Sequence, residues 1–214
     1  MNDRYDYIIA GGGCAGLSLL VHMICSGRFS GEKILLVEKA DKKENDRTWC
    51  FWEKEAGLFE SVVHARWHQL RISSHHYNSS SSIDPYTYKM IRGLDFYNYC
   101  RDLIASQANI TTMKGIVESI DNNEQGATAV IGGKKYFGRY LFNSILLDKP
   151  VLKPKQFYLL QHFKGWLIET SKPAFDPNEA SLMDFRAGQP GGTGFFYLLP
   201  ITSTKALVEY TVFS

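Results

Sequence analysis

The segment Asp6-Tyr-Ile-Ile-Ala-Gly11-Gly-Gly13-Cys-Ala-Gly16-Leu-Ser-Leu-Leu20, followed by Lys33-Ile-Leu-Leu-Val-Glu38, restricts the front of this chain more than any other stretch. It reads as a buried strand over 5–10, a glycine turn, an amphipathic helix from Cys14 to about Gly27 and a second, parallel strand over 33–38. Gly11 permits the tight turn, and Gly13 lets backbone N–H groups approach a pyrophosphate. Gly16 lets the helix lie close to the sheet. Gly12, Cys14 and Ala15 complete the cradle, and the helix start offers unpaired donors and a positive dipole end to phosphate. Glu38, 22 residues after Gly16, is placed to bind a ribose diol, with Lys39 beside it. Strand, turn, helix, strand and acid agree on a nucleotide site.

With 214 residues, 44% of them hydrophobic, the chain can bury a sizeable core. A net charge of +2 and the lack of a Lys/Arg cluster argue against nucleic acid as a partner. Four cysteines without a CxxC spacing, one of them Cys14 inside the glycine turn, point to a reduced, cytoplasmic protein. Tyr7–Cys25 has no Asp, Glu, Lys or Arg, yet the fingerprint accounts for it better than a signal peptide or a membrane span. Membrane contact is expected to be peripheral.

Beyond Glu38, the polar stretch 39–45 reads as a loop and leads into Asp46-Arg-Thr-Trp49-Cys-Phe51-Trp52. Those aromatics serve equally as a core patch or as flat, electron-rich walls of an apolar pocket. Short strands are expected over 66–90, broken by a polar loop at 78–82. His64 and His68 are spaced like helical metal ligands, but with no acidic third ligand they read as surface or packing residues, and no metal is expected. A helix is expected to open at Met90-Ile-Arg92 and to run to Gln107. Strands then follow at 110–120 and 127–131, a Gly132-Gly133 hairpin leads into 134–140, and a further buried strand covers 140–147. From Tyr158 the chain is rich in strand formers.

The fold expected is α/β. A discontinuous Rossmann-like domain (1–47 and 91–153) carries a mainly β domain (48–90 and 154–214).

Strand alternation in Ala206-Leu-Val-Glu209-Tyr-Thr-Val-Phe213 puts Glu209 on the face of Leu207, Thr211 and Phe213. Desolvation there raises a carboxyl pKa and keeps a proton for general-acid chemistry. A solvent-facing edge glutamate is the plainer alternative. Asp184 and Arg186, two apart, form a local pair of structural or catalytic use.

The fingerprint with Glu38, the Asp46–Trp52 run, Leu182-Met-Asp-Phe-Arg186 with Gln189, Phe195-Phe-Tyr-Leu-Leu-Pro200 and Leu207-Val-Glu-Tyr-Thr211 together resemble the flavoprotein lycopene cyclases of bacteria and plants. The resemblance implies an FAD-binding domain of the flavin monooxygenase and geranylgeranyl reductase type, with the β domain holding lycopene or a related acyclic carotenoid at a membrane surface. The implied reaction is a redox-neutral cyclisation of ψ-end groups, to β-carotene above all, with reduced FAD as the active form and NADPH as reductant. By the same resemblance Glu209 is the essential acid, Arg92 contacts the cofactor, and Trp49, Phe51, Trp52, Asp184 and Arg186 belong to the substrate pocket. The chain departs from the family in having Tyr210 where a second acid stands. It also lacks, after Phe213, the segment that returns to the nucleotide domain in this fold, so it reads as the front of a longer protein. An FAD-dependent monooxygenase or prenyl reductase, and an inactive nucleotide-binding fragment, are the competing readings.

Overall fold

The computed structural model describes residues 3–189 and 191–214. In chain order the elements are β1 (Arg4–Ala10), α1 (Cys14–Ser26), β2 (Ile34–Glu38), β3 (Thr48–Glu53), a 3-10 turn (Glu60–Val62), β4 (Val63–Trp67), β5 (Gln69–Ser73), β6 (Asn78–Ser82), β7 (Thr87–Arg92) and α2 (Gly93–Ala105). Then follow β8 (Ile110–Lys114), β9 (Val117–Asn123), β10 (Gly126–Ile131), β11 (Lys134–Asn143), β12 (Gln161–Glu169), β13 (Glu179–Asp184), β14 (Thr193–Pro200) and β15 (Lys205–Phe213). They divide into two compact units, Met1–Arg47 with Gly93–Pro150 and Thr48–Arg92 with Val151–Ser214.

The first unit is built on a six-stranded sheet in the order β8-β2-β1-β11-β10-β9. Its first four strands are parallel and its last two antiparallel. Continuous apolar runs make β1 and β2 suitable for the middle of a parallel sheet, where both faces are covered. Ile8, Ala10, Leu35 and Val37 form one core with Val117, Ala129, Ile131 and Tyr136. Helix α1 buries Leu17, Leu20 and Val21 and ends at Gly27, whose left-handed φ of 68° lets its N–H cap the Ile24 carbonyl.

In the second unit a six-stranded sheet, β12-β15-β14-β13-β5-β6, packs against a three-stranded one, β3-β7-β4. Trp67, Leu70, Tyr88, Met90, Ala180 and Leu199 fill the space between them. The fully buried Trp67 donates its indole N–H to the Pro200 carbonyl at 2.9 Å. Lys89, 4% exposed, is held by Glu53, Glu60 and the Glu55 carbonyl.

Three expectations are corrected. Met90–Arg92 end β7 instead of opening α2, because β7 is paired on both sides, with β3 and with β4; that tertiary pairing outweighs a helical pattern. The serine run 78–82 is a strand, since β5 needs a partner for its outer backbone groups and the serines supply one while staying solvated. Residues 134–143 make one strand, with Tyr140, Phe142 and Leu146 exposed, so no separate buried strand covers 140–147. His64 lies in β4 and His68 just beyond it, so their spacing is not helical.

Candidate active site

Two places combine concavity with the residues singled out from the sequence. The first lies at the C-terminal ends of β1 and β2. Gly11 has φ +105°, a conformation that favours glycine, and so turns the chain without strain. At Gly16 a Cβ would run into the Gly11 carbonyl and come within 3.1 Å of Ile9 Cγ2, so the helix can approach this closely only without a side chain. Gly13 is different, for nothing lies within 4 Å of where its Cβ would be. No side chain caps the start of α1 and its first turn contains no acid; the Leu17 N–H is taken by the Gly13 carbonyl, and the N–H groups of Cys14, Ala15 and Gly16 before it stay available to an anion.

Glu38 does more here than alternation suggested. One carboxylate oxygen accepts the Gly12 N–H and the other the Ala40 N–H, both at 2.8 Å, so the acid braces the glycine turn. Each oxygen keeps lone-pair capacity for a hydroxyl. A cavity of about 130 Å³ opens beside it, lined by Gly12, Leu17, Glu38, Lys42, Tyr97 and Arg101 among others. That volume suits a part of a nucleotide and not a whole dinucleotide. Tyr97 and Arg101 of α2 had no signal in the sequence beyond helical spacing. The Tyr97 hydroxyl donates to Asp46 at 3.0 Å, and burial with that bond pushes its pKa up. Cys14 is a half-buried free thiol, its pKa raised by desolvation. Lys39 is exposed just after β2, and Arg92 is the exposed last residue of β7 in the second unit. The cradle, the free helix start and the carboxylate fit the phosphates and ribose of a dinucleotide such as FAD.

The second place surrounds Glu209. Strand β15 lies between β12 and β14, and the register sets Glu209 between Gly165 and Tyr197. A cavity of about 240 Å³ opens on this face. Its walls are Leu207 and Glu209 of β15, Tyr197 and Leu199 of β14, Gln161 and Phe163 of β12, and Thr48, Cys50 and Tyr88 of the smaller sheet. Burial raises the Glu209 pKa, and a 3.4 Å hydrogen bond from Thr211, a residue with no exposed surface, opposes that shift. Cys50 and Tyr88 hydrogen-bond each other; burial pushes the thiol up to about 11 and lifts the phenol further. Tyr197 is also raised, by burial and then by the Glu209 charge. The cavity thus holds one proton-labile acid among neutral aromatic, thiol and aliphatic groups.

Other residues singled out from the sequence stand elsewhere. Trp49 and Phe51 alternate with Thr48 and Cys50 along β3 and do not line this cavity, while Trp52 meets Tyr88 in a tilted ring contact at 4.7 Å. Asp184 and Arg186 form a two-point ion pair (2.8 and 2.5 Å), and Gln189 exchanges two 2.7 Å hydrogen bonds with the Gly194 backbone. These residues hold the connection from β13 to β14. Tyr210 projects from the opposite face of β15, meets the Phe196 ring at a tilt with centroids 4.8 Å apart and donates to the Gly188 carbonyl at 3.3 Å. Cys50, Tyr88 and Tyr197 escaped the sequence reading because only strand pairing brings them to Glu209. Among the described residues no cluster of three or more His, Cys, Asp or Glu could hold a metal ion.

A family model described as lycopene cyclase protein matches residues 6–214. No curated protein matches the chain. Among solved structures, it is similar to PqsL, described as a probable FAD-dependent monooxygenase, from Pseudomonas aeruginosa (16% identity, TM-score 0.66, 98% of this chain and 60% of that one). It is similar also to a geranylgeranyl bacteriochlorophyll reductase-like protein from Thermoplasma acidophilum (14%, 0.62, 98% and 56%). A flavoprotein/dehydrogenase from Cytophaga hutchinsonii gives 15%, 0.70, 98% and 56%. At such identities the likeness is one of fold, and it makes this the α/β architecture of those flavoproteins. The chain spans roughly three-fifths of the length of these structures.

Proposed function

The chain belongs to the lycopene cyclase family, and from that membership we propose that it cyclises the ψ-end groups of lycopene, with Glu209 as the acid and β-carotene as product. The observation that carries this reading is the half-buried Glu209 carboxyl, its pKa raised by desolvation, in a cavity otherwise made of uncharged side chains. An acid kept protonated beside an apolar chain is what protonation of an alkene needs. The Glu209 proton forms a C–H bond at the terminal double bond and leaves a tertiary cation. A neighbouring double bond closes the ring, and a ring proton passes back to the Glu209 carboxylate, which restores the acid and leaves the new double bond, so the reaction consumes no electrons. Tyr88 and Tyr197 offer ring faces and oxygen dipoles that favour the cation over bulk hydrocarbon.

The Gly11–Gly16 cradle, with Glu38 and Lys39, is proposed to hold FAD, and Arg92 to contact it. When bound and reduced, FAD supplies negative charge that favours a carbocation, and NADPH is its proposed reductant. Exposed Val151, Phe157, Leu159, Phe163 and Trp166, interspersed with Lys153, Lys155 and Lys164, support peripheral contact of the second unit with an anionic membrane surface. Among the described residues no helix is long and apolar enough to cross a membrane.

The test is anaerobic conversion of lycopene in liposomes with chemically reduced FAD and no NADPH, comparing the wild type with Glu209→Gln. Cyclic product from the wild type alone is expected. The fold likeness to a probable FAD-dependent monooxygenase favours a second reading, oxygenation or prenyl reduction. Consumption of NADPH in step with product, and no ring formed without it, would establish that reading and withdraw the role of Glu209.

A further inference from the structure

Gly165 lies in the middle of β12 and directly opposite Glu209. Glycine inside a strand costs conformational entropy and packs nothing, so its presence asks for a reason. The backbone does not require it, for its φ is outside the left-handed region. Packing does not forbid a side chain either. A Cβ at 165 would meet only the flexible end of Leu207 at 3.3 Å, then Glu209 Oε2 at 3.6 Å and Glu209 Cβ at 3.8 Å. Two other glycines inside strands differ: at Gly138 a Cβ would come within 2.9 Å of Ile8 Cγ1, and at Gly194 within 2.7 Å of the Tyr210 hydroxyl.

Two of the neighbours on the same side of β12, Gln161 and Phe163, line the Glu209 cavity. The carboxylate therefore has Tyr197 on one flank and no side chain on the other. A gap of this kind beside a reactive group is where a ligand or another backbone comes close. The cavity, about 240 Å³, is below the usual range for a whole drug-sized ligand and so suits the end of a long molecule.

We infer that Gly165 is a specificity-determining residue: the space left by its missing side chain seats the linear isoprenoid end group against the Glu209 carboxyl, with Phe163 and Leu207 as its apolar walls. This rests on the proposed cyclase reading. The seat closes when position 165 carries a branched side chain.

The experiment compares Gly165→Ala, Gly165→Val and Gly165→Leu in the FAD-loaded protein, measuring equilibrium binding of lycopene by its absorption shift, cyclisation, flavin content and Tm. Alanine is expected to bind lycopene within about threefold of the wild type, and valine and leucine to lose at least about tenfold in binding and in kcat/KM, with flavin content unchanged. Adding Leu207→Ala to Gly165→Val reopens the space and should recover binding. Wild-type lycopene affinity in Gly165→Leu would overturn the inference, as would a loss in Gly165→Val that Leu207→Ala leaves unrecovered. If the wild type binds lycopene but closes no ring, the cyclase reading falls, while graded loss of binding across the series still supports the seat.

Discussion

Gly13 and Gly16 stand three residues apart in one turn, yet the structure assigns them opposite sensitivities. At Gly13 the backbone is extended (φ −83°, ψ −170°), which alanine adopts freely, and nothing lies within 4 Å of a new Cβ. Gly13→Ala gains about 0.4–1 kcal/mol by stiffening the unfolded chain. It gives back about 0.5–1 kcal/mol because alanine is a poorer N-cap than glycine. The two nearly cancel, so Tm should stay within about 2 °C. The added methyl nevertheless occupies the approach to the first N–H groups of α1. Loss of one hydrogen bond to a charged phosphate, about 1.5–3 kcal/mol, weakens FAD binding by roughly 10- to 150-fold. At Gly16 the new methyl meets the Gly11 carbonyl, backbone that cannot rotate away, with Ile9 Cγ2 at 3.1 Å on another side. Overpacking against a rigid neighbour costs about 3 kcal/mol, or roughly 6–12 °C in Tm for a chain of this size. Thermal unfolding without flavin, together with FAD titration by fluorescence quenching, separates the two effects. A Gly13→Ala protein that loses as much Tm as Gly16→Ala, or that binds FAD like the wild type, would refute the assignment of Gly13 to the phosphates.

Two further predictions concern charge. Burial raises the Glu209 pKa above 4.5, so the folded protein holds that proton more tightly than the unfolded one. This contribution to stability is complete below pH 4.5 and is lost as pH rises through the raised value. Glu209→Gln removes the titration, so its Tm should gain on the wild type as pH rises above 4.5 and through the raised value; parallel curves would count against a desolvated carboxyl. Lys89→Met leaves Glu53 and Glu60 facing each other without their shared cation. Since the carboxylates are 26% and 29% exposed, the cost should fall below that of a fully buried pair, at about 2–3 kcal/mol in urea unfolding. Adding Glu53→Gln and Glu60→Gln should recover most of it, and no loss in the single variant would mean that the triad contributes nothing to the fold.

The nucleotide turn was legible because its information is local. Strand, glycine turn, helix and acid follow one another within 33 residues, Gly11 supplies a positive φ and Gly16 answers a steric demand of its neighbours. The inward face of β15 was legible for a similar reason, since alternation alone sets Glu209 with Leu207 and Thr211. Local pattern failed where pairing decided the outcome. The serines of β6 became an edge strand because β5 lacked a partner, and Met90–Arg92 became strand because β3 and β4 enclose β7.

By itself, then, the sequence determined a nucleotide cradle, the presence of many strands after it, and a carboxyl on an apolar face. Only the tertiary structure decided which groups surround that carboxyl: Tyr88 from β7, Phe163 and Gly165 from β12 and Tyr197 from β14 reach it across separate strands, while Trp49 and Phe51 do not line its cavity. The physical reason is range. Turn geometry and side-chain alternation act over a few residues, whereas the neighbours of Glu209 follow from strand pairing and sheet packing between segments as far apart in the chain as Tyr88 and Glu209, which no local periodicity encodes.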